Sequence, residues 1–375
     1  MILRPMIRRA VSVAACAFAA LVPGARAYSS GALKHPPIRH VFIIVLENES
    51  FETTFGAGSH SPYLADSLIG AGAFLRQYYG TGHASLDNYI SMISGIAPDP
   101  ATQADCGRYD DFVQTGTAPD GQPIGSGCVY PAHVPTIANQ LADHHLTWKA
   151  YMEGMGSDTG REPATCGHPA IGARDQTSRE TELDRYATKH NPFMYFHSVI
   201  DSPSCATSVV PLAGLESDLS SRGTTANYNF ITPDLCHDGH NAPCKNGEPG
   251  GLVSADAFLK HWVPIIMRSP AYRDGGLIII TFDEAASADA SACCNEQSGP
   301  NTKLPGAHGP GGGRTGAVLL SPFIKPGTVS DVPYNHYSML RSVEDLFGLK
   351  HLGYASQNGL VPFGTDVYHR VRAAR

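Results

Sequence analysis

Two uninterrupted apolar runs constrain the fold more than any other feature of the sequence. Residues 40–46 read HVFIIVL and residues 276–282 read GLIIITF, both dominated by β-branched and aromatic side chains. Short runs with no polar face fit strands buried on both sides, and such strands belong to mostly parallel sheets covered by helices on each face. Each run ends in oxygen-bearing side chains, Glu47-Asn48 after the first and Asp283-Glu284 after the second. Open α/β sheets place their ligand sites at the C-terminal ends of parallel strands. The four residues are therefore expected to converge on one divalent cation, for which hard oxygen ligands are suited. Taken alone, Glu47-Asn48 reads as the polar start of a loop, with Asn48 or Ser50 capping the next helix. The matching acidic pair at a second strand end moves the reading to a metal site.

The N-terminus reads as an export signal. Arg4, Arg8 and Arg9 flank an apolar run over residues 10–22, and Ala25-Arg26-Ala27 fits a small-x-small cleavage site. The run is shorter than the roughly 20 residues a membrane span needs, so cleavage near Ala27 and a secreted or periplasmic product are expected, with no stable membrane anchor. Loss of residues 1–27 removes four arginines and no acid, taking the formal charge from −7 to −11. A chain this acidic is not built for nucleic acid or for a polybasic lipid anchor. The remainder, 28–375, reads as one domain with loop insertions near 98–130 and 154–185. Cys16 leaves with the signal, and the eight remaining cysteines form an even set in an exported chain, which favours disulfides. Sequential pairing is expected, with Cys293-Cys294 as a vicinal bridge. A structural zinc site is disfavoured by the lack of a tight CxxC pair.

Further polar clusters follow other strand or turn signals. A Gly-rich turn precedes His83-Ala84-Ser85-Leu86-Asp87-Asn88, which opens a helix stopped by Gly95. Ser85 there is either an N-cap or, beside a cation and the unpaired N–H groups of a helix start, a nucleophile poised at an anion site. The strand NYNFIT at 227–232 runs into His237-Asp238-Gly239-His240, a cluster able to contact phosphate or protonate a leaving group. Lys189-His190-Asn191-Pro192-Phe193 reads as a packed aromatic edge with a solvated lysine. His336 opens a helix that ends at Gly348. The glycines of HGPGGGR at 308–314 lack the Lys-Ser/Thr and helix of a phosphate loop.

Jointly these stretches, VFIIVLENESFETTFG, GHASLDNYISMISG, KHNPF, NFITPDLCHDGH, IIITFDE and SPFIKPGTVSDVPYNHYSMLRSVEDLFGL, resemble the bacterial phosphoesterase family of secreted acid phosphatases and phospholipases C. That family is related in fold to alkaline phosphatases and arylsulfatases. The resemblance implies an alkaline phosphatase-like three-layer α/β sandwich and one divalent metal ion, Ca, Mg, Mn or Zn, held by Glu47, Asn48, Asp283 and Glu284. It further implies Ser85 as the phosphorylated nucleophile, His240 as the proton donor, and His83, Asn88, Asp238 and His336 as substrate contacts. The implied substrate is a phosphorylated small molecule or lipid headgroup, including phosphoinositides. Two other readings remain open at this point, a phospholipase C-type phosphodiesterase and a non-catalytic exported phosphate- or metal-binding protein. Asp87 departs from the family pattern, which has proline there, and is expected to place a negative charge near the phosphate. Glu284 stands where some relatives carry a second aspartate.

Overall fold

The computed structural model describes residues 35–286 and 288–369; the expected signal at 1–27 lies outside them. Both apolar runs are strands, β1 at His40–Leu46 and, later in the chain, Gly276–Phe282. Eight strands build the central sheet: β1, β2 (Ala73–Leu75), β3 (Trp148–Met152), β4 (Val209–Pro211), β5 (Tyr228–Thr232), β6 (Gly276–Phe282), β7 (Ala317–Leu320) and β8 (Thr328–Ser330). Their spatial order is β8-β2-β7-β6-β1-β5-β3-β4. Every neighbouring pair is parallel except the two made by β7, which runs against β6 and β2.

The pleat sorts β1 onto two cores. Val41, Ile43 and Val45 pack with Leu86, Tyr89, Ile90 and Ile93 of the Ser85–Ser94 helix and with Met339, Leu340 and Val343 of the His336–Phe347 helix. Phe42, Ile44 and Leu46 face the other way, onto Leu252, Phe258, Leu259, Val263 and Ile266 of the Gly251–Arg268 helix. A strand with no exposed face is thus explained by helices on both sides, and the architecture is an α/β three-layer sandwich. Removing so much apolar side-chain area from water is the main favourable term holding the layers together.

The 98–130 segment carries a small hairpin, Val113–Thr117 against Pro123–Ser126, closed at its base by Cys106–Cys128. Residues 154–185 contain neither helix nor strand. The other bridges are Cys166–Cys205, Cys236–Cys244 and the vicinal Cys293–Cys294, so the pairing is sequential. Among the described residues, no helix is long and apolar enough to cross a membrane.

Candidate active site

Strand register brings the two acidic pairs together. Leu46 lies opposite Phe282 in the β1–β6 ladder, so Glu47 and Asp283 leave the sheet side by side. The turn is fixed by the backbone N–H of Asn48, which donates to Asp283 Oδ1 at 3.0 Å while Asn48 itself sits at φ 58°. Asn tolerates that left-handed conformation better than most residues. The Asn48 amide then donates to Glu284 Oε1 at 3.1 Å. From the β5 end, Asp238 accepts the His240 N–H at 2.9 Å through Oδ1, and its carbonyl accepts the Glu47 N–H at 2.8 Å.

Ser85 is the first residue of its helix, with Ala84 in the capping position. Its hydroxyl is therefore not spent as a cap. It donates to Glu47 Oε2 at 2.9 Å and lies 3.4 Å from Lys189 Nζ. Lys189 is not the solvated lysine expected from the sequence: it is largely buried and pairs with Asp105 Oδ2 at 2.8 Å. Burial works against its charge, but Asp105 and Glu47 outweigh that and hold its pKa above the usual lysine value. Asp105 Oδ1 in turn accepts the N–H of Leu86 at the helix start, at 3.1 Å.

His190 completes the centre. Its Nε2 is 3.1 Å from Glu47 Oε1 and its Nδ1 is 3.7 Å from Asp238 Oδ2, though neither ring nitrogen is aligned for a hydrogen bond. The ring stacks on Tyr89 at 5.3 Å between centroids. Burial, reinforced by Lys189, pushes the His190 pKa well below its usual value, which favours the uncharged imidazole.

The carboxyl groups shift the other way. Burial is the largest cause for each, raising Glu47, Asp238 and Glu284 well above the usual range and Asp283 to about 6. Repulsion from Asp283 adds to the rise at Glu47 and Glu284. Glu47 Oε1, Asp238 Oδ2 and Asp283 Oδ2 are buried oxygens with no hydrogen-bond partner, as are both nitrogens of His190. Orphaned buried carboxylate oxygens are costly unless something positive engages them. Orphaned carboxylate oxygens with an imidazole between Glu47 and Asp238 are donor types suited to a divalent cation, but among the described residues only Asp234, Cys236 and His237 bring three ligand atoms close enough together to hold one.

The remaining expected site residues take varied positions. Both oxygens of Glu284 are engaged, Oε1 by Asn48 and Oε2 by the Asn88 amide at 3.1 Å, with His83 Nδ1 3.3 Å from Oε2. Asn88 is further committed to the preceding turn, accepting from Thr81 and Gly82 N–H and donating to Gly82 and Ala84 carbonyls. His336 lies beneath the site with both nitrogens occupied, by the Asp283 carbonyl at 2.5 Å and the Tyr78 hydroxyl at 3.1 Å. Its pKa is lowered to about 4 by burial. His240 stands exposed at the rim, its pKa lowered by desolvation and by Lys189. His237 turns away to bridge Glu153 and Glu248, each at 3.0 Å. It lies close to Asp234 and Cys236 in a second cluster of metal-binding residue types, but Cys236 is bonded to Cys244 and has no thiolate to give.

Asp87 sits in surroundings that oppose the negative charge expected of it. It is buried with neither oxygen hydrogen-bonded, and burial, then Glu284 and Asp105, push its pKa well above the carboxylate range. The functional groups underrated from sequence are Lys189, His190 and Asp105. A basic-imidazole-amide triplet set directly before a buried aromatic run was the available signal for the first two.

Comparison with known proteins bears on the family and the fold. A family model described as the Phosphoesterase family matches residues 61–350. A probable acid phosphatase of Kluyveromyces lactis is 24% identical over 84% of this chain and 59% of its own length. An acid phosphatase of Aspergillus fumigatus is 23% identical over 83% of this chain and 55% of its own. The chain thus spans little more than half the length of those two relatives. A phosphatidylinositol-3-phosphatase of Mycobacterium tuberculosis is 24% identical over 89% of this chain and 84% of its own. A solved Bacteroides thetaiotaomicron protein from work on glycosaminoglycan metabolism shares the fold at 10% identity, covering 91% of this chain and 83% of that one with a TM-score of 0.51. An alkaline phosphatase superfamily protein of Vibrio parahaemolyticus matches at 12% identity over 83% and 67% of the two chains, with a TM-score of 0.47.

Proposed function

The chain belongs to the Phosphoesterase family, and on that premise we propose that it is an exported, metal-dependent acid phosphatase that hydrolyses phosphate monoesters through a phosphoserine at Ser85. The observation that carries the reading is the Ser85 hydroxyl, which is held on Glu47 Oε2 at 2.9 Å with Lys189 Nζ 3.4 Å away. A serine so placed has a proton acceptor and a cation beside it, the requirements for an activated nucleophile. Glu47, Asp238 and Asp283, with Asn48 and His190 adjoining, would hold a divalent cation, which when bound supplies Lewis-acid polarisation of phosphate oxygens and lowers the pKa of a nearby hydroxyl.

The chain's own residues supply the rest. Lys189 offsets charge at the Ser85 oxygen and at the transferring phosphoryl group, and the Leu86 N–H at the helix start donates to a phosphoryl oxygen. His240, at the open rim, protonates the departing alcohol. Water then cleaves the phosphoserine, returning Ser85 to Glu47. Glu284, Asn88 and His83 hold the turn that carries Ser85, and His336 buttresses the Asp283 carbonyl. Four disulfides support an oxidising, extracytoplasmic setting. The phosphatidylinositol-3-phosphatase relative supports phosphoinositides among the organic phosphates that fit.

The test is phosphate release from p-nitrophenyl phosphate beside its phosphocholine diester, before and after chelation. Release from the monoester, abolished by chelator and restored by a divalent cation, is expected. Preferential release of p-nitrophenol from the diester would overturn the monoesterase reading.

A further inference from the structure

The anion seat beside Ser85 is filled by an anion from this same chain. Asp105 directly precedes Cys106 of the Cys106–Cys128 bridge, and one of its oxygens accepts the Leu86 N–H at 3.1 Å while the other accepts from Lys189 Nζ at 2.8 Å. That lysine is 3.4 Å from the Ser85 hydroxyl. Two oxygens shared between a helix-start N–H and an ammonium, next to the nucleophile, are the contacts that two non-bridging phosphoryl oxygens would make. The arrangement is held from outside the site. Asp105 and Cys106 both occupy the left-handed region, at φ 51° and 49°, and Cys106 is buried and covalently tied to Cys128. Non-glycine residues adopt that backbone sparsely, and two in succession persist only where the surroundings impose them.

We propose that Asp105 is a tethered competitor for the phosphate seat, which a phosphate ester must displace from Leu86 N–H and Lys189 before Ser85 can attack it. The inference rests on the phosphatase reading above and deepens it: Asp105 sets how tightly the site takes phosphate, and so how much of the substrate's affinity comes from its remaining parts. Displacement needs only side-chain rotation, because the Asp105 side chain is about a third exposed and can turn to solvent while its loop stays stapled. Inorganic phosphate, the product, competes for the same seat and meets the same carboxylate.

A merely structural Asp105, one that positions Lys189, predicts the opposite sign. Inorganic phosphate and orthovanadate are titrated calorimetrically into the full chain supplied with its divalent cation, comparing wild type with Asp105→Asn and Asp105→Ala. Loss of a charge-assisted competitor should tighten phosphate by about tenfold or more in both variants, with a parallel fall in KM for p-nitrophenyl phosphate. Asp105→Asn keeps the shape of the side chain, so it carries the test if Asp105→Ala does not fold. Unchanged or weaker phosphate affinity in a folded variant, or an unchanged or higher KM, overturns the proposal. Wild type that binds phosphate, more tightly in Asp105→Asn, yet turns over no monoester sustains the competitor and removes the enzyme reading. Wild type that turns over monoesters while the variants bind phosphate no better removes the competitor alone. Binding of neither anion by wild type removes both.

Discussion

Lys189→Met offers the sharpest dissection of the site's electrostatics. Among the described residues, this ammonium is the cation held against the Ser85 hydroxyl, at 3.4 Å. Two unit charges at about that separation interact by roughly 5 kcal/mol at an effective dielectric near 20, an upper bound because Asp105 already neutralises part of the lysine. Loss of one well-placed group stabilising developing charge costs about 10²–10³ in rate, or about 3–4 kcal/mol, which falls under that bound. Methionine keeps the length and removes the charge. We therefore expect kcat/KM for p-nitrophenyl phosphate to fall by about 10²–10³ in Lys189→Met, with partial recovery in Lys189→Arg. Stability should fall as well, since removing the largely buried ammonium leaves Asp105 without its partner, so rates are compared in folded protein. Because Asp105 and Glu47 hold the lysine pKa above its usual value, the deficit should be constant across acidic and neutral pH. A folded Lys189→Met within threefold of wild type would refute the assignment.

Two other outcomes follow from the structure. Glu344 is fully buried, with Oε1 accepting the Leu352 N–H at 2.9 Å, and burial raises its pKa from 4.5 to about 9. The folded chain keeps this proton to about pH 9 while the unfolded chain releases it near 4.5, so its contribution is complete below the lower value and is lost as pH rises through the upper one. Glu344→Gln should match wild type in thermal melts at pH 4 and melt higher at pH 8; equal melting at both would contradict the shift. At Gly82, an added Cβ would fall 1.9 Å from Oδ1 of the buried Asp87, whose side chain must shift to admit it. Gly82→Ala should cost about 1–3 kcal/mol in denaturant unfolding and reduce turnover by shifting the Ser85 helix start, whereas wild-type stability would show that the turn yields freely.

The fold was legible where one physical signal acted alone. Strands β1 and β6 carry apolar side chains on both faces, and their ends matched the expected residues because the polar pairs Glu47-Asn48 and Asp283-Glu284 stop the pattern abruptly. Strands β2, β4 and β8, three residues each, leave too short a run to register a period. The bounds of the long Gly251–Arg268 helix are hard to read from sequence, because the glycines at its start and Pro264 within it mask the periodicity. At the site, the convergence of Glu47 with Asp283 was readable from strand ends. The parts played by Asp238 and Glu284 were not, since which oxygens remain unpartnered depends on amides from Asn48 and Asn88 that only the fold brings near. Lys189 and Asp105 were hidden for a related reason: one lies in a single 3₁₀ turn, Thr188–His190, and the other just past another, Thr102–Ala104, and their pairing joins segments far apart in sequence.

The most direct measurement is acid-quenched turnover of p-nitrophenyl phosphate followed by peptide mass spectrometry. The account predicts phosphate on Ser85 in wild type and neither label nor turnover in a folded Ser85→Ala. Full turnover in that variant, or phosphate trapped on another residue, would contradict it.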